Sequence, residues 1–270
     1  MKRFLKQFVI AAIYLLIFSG IGLLAWNIFY TPTCFDGIKN QGEEEVDCGG
    51  PCQSCEIKTL SYPIVLRKFF LLDPEGNAFD AAIQLKNPNL NWGLKSFDYQ
   101  IDFKDVSGYV LPGSLYGKSF LMPNAGQWLM ETAKFAPAET REIELKINTS
   151  TIEWSKIRPY VAENEFVIRD QQFKLLSPPA SGYAEATGAI ENKSSFNVND
   201  VEIQAVLYDK DKRLISFGRT TIFSLRQGEV REFRIFWPKK FVNRNPVAGL
   251  DILANINFLA DESFLQRYQY

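Results

Sequence analysis

Cys34, Cys48, Cys52 and Cys55 are the only cysteines in the chain, and all four fall in one Gly-rich stretch too short to bury a core. Sulfur at this density can close disulfides, hold zinc or exchange thiols. Four thiolates could bind zinc tetrahedrally, but thirteen residues separate the first pair, and an oxidising compartment disfavours free thiols. Cys52-Gln53-Ser54-Cys55 has the C-x-x-C spacing of redox proteins. Those proteins place the motif at a helix N-terminus after a strand, whereas here Gly49-Gly50-Pro51 precedes it. The expectation is two disulfides, in any of three connectivities, bracing a stalk.

The same stretch carries hard oxygen ligands around tight Gly turns: Asp36, Asn40, Glu43, Glu45 and Asp47. Their chemistry suits calcium, although the spacing is not that of an EF-hand. The competing reading is that these acids solvate a linker. No other metal or cofactor is implied. The chain has no histidine, which removes the usual general base, the Ser-His and Cys-His nucleophile pairs and the commonest metal ligand. Its acids show no glycosidase-type pair by spacing, and no Gly-rich phosphate loop is present. A non-enzymatic protein is expected. With 30 basic against 31 acidic residues there is no surplus to neutralise phosphates, so nucleic acid is not an expected partner.

What positions these residues begins at the N-terminus. Phe8 to Tyr30 contains no charge and is long enough, at helical rise, to cross a hydrocarbon core of about 30 Å. Lys2, Arg3 and Lys6 precede it and Asp36 is the first charge after it, so the positive-inside bias leaves residues 1–7 in the cytoplasm and exports the rest. Trp26 and Tyr30 sit where an interfacial aromatic belt belongs. A cleaved signal peptide would have a shorter apolar run and an A-x-A site. A lipoprotein anchor on Cys34 would follow small apolar residues rather than Tyr30-Thr31-Pro32-Thr33. Residues 8–30 are therefore read as an uncleaved, single-pass span of the cell membrane with lipid as its partner, and 31–56 as the acidic stalk.

Cys34-Phe35-Asp36-Gly37-Ile38-Lys39-Asn40, followed by Val46-Asp47-Cys48-Gly49-Gly50-Pro51-Cys52-Gln53-Ser54-Cys55, resembles a short module that recurs in secreted and surface-anchored bacterial proteins. The resemblance implies a spacer.

Beyond Glu56, apolar and polar residues alternate between Gly, Pro, Asn and Asp punctuation, with hardly any helical periodicity. Phe97, Tyr99, Ile101 and Phe103 share one strand face, and Val201, Ile203, Ala205 and Leu207 repeat the arrangement. The halves correspond in order. Leu85-Lys86-Asn87-Pro88-Asn89 parallels Ile190-Glu191-Asn192-Lys193-Ser194, and Pro137 to Ile143 parallels Gln227 to Phe233. On that pairing the first copy carries fourteen extra residues between Asp105 and Glu139, with Tyr109, Tyr116, Phe120 and Trp128 interleaved among glycines. This aromatic excursion is the candidate recognition loop. The alternative is that its aromatics fill the core or form an extra hairpin. Asn148-Thr149-Ser150 and Asn192-Lys193-Ser194 fit the N-glycosylation pattern and receive no role.

Val206-Leu207-Tyr208-Asp209, followed by Gln227-Gly228-Glu229, resembles the FxLYD domain, a small β-sandwich of bacterial envelope proteins. Asn87-Pro88-Asn89 is similar to the signature of type-2 late-embryogenesis-abundant domains, a related immunoglobulin-like sandwich. In the first copy Asp102-Phe103-Lys104-Asp105 departs from the Leu-Tyr-Asp pattern. The resemblances imply an all-β ectodomain of two tandem immunoglobulin-like β-sandwiches, residues 57–157 and 158–270, after one N-terminal transmembrane helix. The expected function is binding or scaffolding in a bacterial-type cell envelope, with an envelope protein or wall component as partner. The alternative is a sandwich that carries a lipid or other apolar ligand.

Overall fold

The computed structural model describes residues 2–30, 34, 36–40, 42–72, 78–160, 162, 165–177, 182–241 and 245–270. Thr31, Pro32 and Thr33, weighed above for a lipoprotein anchor, lie outside them. The chain divides into two compact units, Met1–Leu60 and Ser61–Tyr270.

The first unit opens with α1 (Lys2–Tyr30). Phe4, Phe8, Ile10, Leu16 and Leu24, which face different directions around the helix, are all exposed. A helix apolar on every side has no face to turn to water, and Arg3–Trp26 is long and apolar enough to cross a membrane. The helix begins at Lys2 rather than Phe8, so the short basic tail forms its first turns. The cysteines close as Cys34–Cys52 and Cys48–Cys55, with Cα–Cα separations of 5.5 and 4.9 Å. Cys52 and Cys55 thus belong to different bridges and form no C-x-x-C pair. Between the bridges, Gly50 has φ +58°, and a Cβ there would stand 2.2 Å from the Gly42 carbonyl oxygen, so only glycine lets the chain fold back on itself.

The second unit is built of antiparallel strands: β1 (Ile64–Leu72), β2 (Ala78–Lys86), β3 (Trp92–Lys104), β4 (Val110–Leu121), β5 (Gly126–Phe135), β6 (Glu142–Ile147), β7 (Glu153–Lys156), β8 (Phe166–Leu175), β9 (Ala184–Asn192), β10 (Val198–Tyr208), β11 (Leu214–Leu225), β12 (Val230–Trp237) and β13 (Gly249–Asn255). The sheets are ordered β1-β2-β5 and β4-β3-β6, with β7 also pairing β3, then β12-β9-β8 and β11-β10-β13. Stripped of β7, the second half repeats the first strand for strand.

The repeat corrects the pairing read from sequence. Asn87 N–H donates to the Ala125 carbonyl and Asn192 N–H to that of Glu229, so the turn before β12 corresponds to the turn before β5, not to Pro137. β5 begins twenty-one residues after Asp105 and β12 twenty-one after Asp209. There is no insertion. The supposed excursion is two regular strands, β4 and β5.

Equivalent polar devices hold both copies. The buried amide of Asn87 donates to the carbonyls of Trp92 and Met122, and that of Asn192 to those of Phe196 and Leu225. Asp105 Oδ1 accepts from the N–H groups of Ser107 and Tyr109, and Asp209 Oδ1 from those of Asp211 and Arg213, closing the two hairpins alike. Asn192, one of the two sequon asparagines, is fully buried, which removes it as a glycan acceptor.

Among the described residues, three apolar layers separate four sheets. Phe79, Ile83, Phe97, Ile101 and Phe103 fill the first sandwich, where the Phe79 and Phe103 rings meet edge to face at 5.0 Å. Burying each such side chain stabilises by about 1.5–3 kcal/mol. Val201, Ile203, Leu207, Phe233, Ile235 and Trp237 fill the second. Ala82, Trp128 and Met130 of the first sandwich meet Val206 and Phe217 of the second in a third layer. Sheets β1-β2-β5 and β11-β10-β13 are therefore covered on both faces, and the sandwiches form one unit.

The segment after Pro246 completes the second sandwich. β13 pairs with β10, and α2 (Glu262–Tyr268) brings Phe264 and Tyr268 against Tyr160 and Phe196. The connection between copies is tied at both sides: Ile157 N–H donates to the Asn91 carbonyl and Arg158 N–H to that of Tyr268.

Candidate functional site

Among the described residues, two places could meet a ligand: the acid-rich loop between the bridges, and the outermost sheet of the first sandwich. In the acid-rich loop, Asp36, Asn40, Glu43 and Asp47 come together, but as a hydrogen-bonded knot. Asp47 Oδ1 accepts from the N–H groups of Asp36 and Gly37 at 2.9 and 3.0 Å. Glu43 Oε2 accepts from those of Asn40 and Asp47, and Asp36 accepts from Ile38 N–H and the Asn40 amide. These oxygens satisfy backbone donors that a Gly-rich turn leaves unpaired. This is a structural use of the residues the sequence nominated for calcium. Glu45 lies instead beside the Cys48–Cys55 bridge, whose bonded sulfurs offer no thiolate, and pairs with Lys58 at 3.7 Å.

The second place is the outward face of β4-β3-β6. Along β3, Asp98, Gln100, Asp102 and Lys104 alternate outward while Phe97, Tyr99, Ile101 and Phe103 point into the core. Gln100 stands opposite Tyr116 on β4 and Lys146 on β6. Ile101 and Phe103 span two positions of β3, while their partners Leu115 and Leu111 span four of β4, so β4 bulges opposite Asp102. The bulge brings Ser114 Oγ to Asp102 at 2.6 Å. Lys146 Nζ approaches the other carboxylate oxygen at 2.6 Å, and the Gln100 amide also donates.

Asp102 is 1% exposed. Burial alone would raise its pKa, but hydrogen bonds from Lys146, Ser114 and Gln100 outweigh it and lower the value to about 2. The same contact raises the pKa of Lys146. Lys104–Glu144 at 3.1 Å and Lys118–Asp98 at 3.7 Å complete the frame, so three lysines meet three acids. Within it stands Tyr116, 73% exposed.

The four aromatics of the expected loop thus separate. Tyr116 and Tyr109, the latter 69% exposed beside the β3–β4 turn, face solvent, and Phe120 is half-buried. Trp128 is 5% exposed and packs in the layer between the sandwiches, because β5 has both faces covered. Gln100, Asp102, Ser114 and Lys146 escaped the sequence reading. Gln100 and Asp102 were signalled only by the polar parity of β3, and Ser114 and Lys146 by nothing local, since the contacts join three different strands.

The two sandwiches also meet through polar groups. The Gln204 amide donates to the Trp128 carbonyl at 2.7 Å, and Arg219 pairs with Glu202 at 2.9 Å and reaches Glu131 at 3.9 Å. Tyr99 donates its hydroxyl to Glu131, and burial together with this carboxylate pushes the phenol pKa well above its ordinary value. These groups are spent on holding the sandwiches together.

No family model matches the chain, and no curated protein matches it. Among solved structures, the calcium-binding domain CBD12 of CALX1.1 aligns at 10% identity over 63% of this chain and 75% of that one, with a TM-score of 0.18. A Bacteroides uniformis beta-glucuronidase aligns at 11% identity over 72% of this chain and 32% of that one, again with a TM-score of 0.18. At such scores neither likeness carries an argument. The class rests on the structure itself: an all-β protein of paired antiparallel sheets behind one apolar helix.

Proposed function

We propose that the chain is a non-enzymatic, membrane-anchored binding or scaffolding protein of a bacterial-type cell envelope, with residues 61–270 outside the cytoplasm. The observation that carries this reading is a pair of closed disulfides lying between an apolar helix and a β unit whose outermost sheet holds an exposed tyrosine in a fixed polar frame. Disulfides persist in oxidising compartments, and the basic residues precede the helix, which agrees with export of everything after it. The FxLYD-like segment fits the same reading, its Leu207 in the core and its Asp209 closing the hairpin. The carrier alternative requires an interior that opens, whereas Phe79, Phe97, Phe103, Phe258 and Phe264 occupy both interiors fully buried.

The test places a photo-crosslinking amino acid at position 116 in intact source cells and adds protease from outside. Digestion of residues 61–270, together with adduct formation to an envelope component, is the expected result. Protection of that unit in intact cells, or no adduct from an envelope component, overturns the proposal.

A further inference from the structure

We infer that the outward face of β4-β3-β6 binds an uncharged polysaccharide strand, with Tyr116 as its stacking platform. This rests on the binding reading above and narrows it to a ligand class. The first argument is charge complementarity. Lys146, Lys104 and Lys118 are matched by Asp102, Glu144 and Asp98, and Glu142, opposite Lys104 on the same face, is matched by Lys68 at 2.9 Å, so these strands offer no unpaired charge of either sign to a phosphate polymer or a charged peptide. It remains dense in donors and acceptors held in place by one another, which suits a neutral polyol and spares the entropy of ordering them on binding.

The second argument is the aromatic. Tyrosine offers an apolar ring with a polar tip, and the C–H faces of a pyranose can lie on such a ring while its hydroxyls donate to the side-chain oxygen of Gln100 directly opposite, whose amide nitrogen is held by Asp102 and Ser114. The third is shape. Val110, also exposed, and Tyr116 point outward from the same strand on either side of the bulge. Six residues of strand extend at most about 20 Å, a length that fits several sugars in a row better than one. The other outermost sheet makes the contrast. There Phe236 lies under the Arg234 guanidinium at 5.3 Å, and Arg234 is held in turn by Glu185. A cation already covers that ring.

Full-length protein in lipid nanodiscs is sedimented with cellulose and chitin, and titrated with cellohexaose and chitohexaose. Binding to at least one polymer is expected, weakened tenfold or more by Tyr116→Ala, retained by Tyr116→Trp and unchanged by Lys58→Ala. Matching circular dichroism melts establish that the variants fold. The inference is overturned if wild type binds none of these, if binding survives both Tyr116→Ala and Gln100→Ala, or if polyphosphate binds in their place. An adduct from position 116 to an envelope protein, without glycan binding, sinks this inference and leaves the proposed function standing. Failure of external digestion sinks the proposed function itself.

Discussion

The two sandwiches share a skeleton and differ in what they show to water. Each has the same strand order, a buried asparagine bonded across to two carbonyls, and an aspartate closing the equivalent hairpin, β3–β4 or β10–β11. The second adds α2 and a cluster of Tyr160, Phe196, Phe258 and Phe264 at one end, and lays Arg234 on its outward phenylalanine. The first leaves Tyr116 bare. Fold devices are thus common to both copies, while the outer surfaces diverge, and the binding role proposed above falls on the one that leaves its aromatic uncovered.

The largest expected effect tests whether the copies are one body. Trp128→Ala removes the centre of the shared layer and should cost about 3–5 kcal/mol, read as a lower urea midpoint of a single transition. Two separated transitions in wild type would show that the sandwiches unfold independently. Asn87→Ala and Asn192→Ala each strand buried carbonyls and should each cost about 1–3 kcal/mol. Loss in one alone would break the equivalence of the copies.

A smaller effect follows pH. Asp102 has a folded-state pKa lowered to about 2 from an ordinary 3.8, so its contribution is complete above pH 4 and is lost as pH falls toward 2. Asp102→Asn should be less stable than wild type at neutral pH and lose less stability between pH 4 and 2, measured by denaturant midpoints. A parallel decline would remove Asp102 from that account. The smallest effect concerns the bridges. Replacing Cys34 and Cys52 by serine should leave the melting of residues 61–270 unchanged while residues 36–60 become protease-sensitive, because an 18-residue loop closure contributes about 3 kcal/mol to its own segment.

These contrasts explain what the sequence disclosed. β3 and β10 were legible because one face of each carries an unbroken apolar row at period two, Phe97 to Phe103 and Val201 to Leu207. β5 was not: Trp128, Leu129 and Met130 are buried in succession because its sheet is covered on both sides, and that pattern has no alternation to read. Without that alternation, β4 and β5 look in sequence like an insertion and a loop. The cysteines announced bridges, but connectivity is a property of three-dimensional proximity and four cysteines admit three pairings. In the candidate site, the tyrosines were visible as aromatic residues. Their exposure and the Asp102 frame depended on register among β3, β4 and β6, which no local signal encodes.

The Cys34–Cys52 bridge finally fixes how the connector bears load. A pull between helix and β unit passes from Cys34 straight to Cys52 through sulfur, so residues 35–51 carry no tension while the bridge is intact. Reduction of both bridges would release those seventeen residues, about 50 Å of slack after the bridge's own span is subtracted. The oxidised knot is a tether held short.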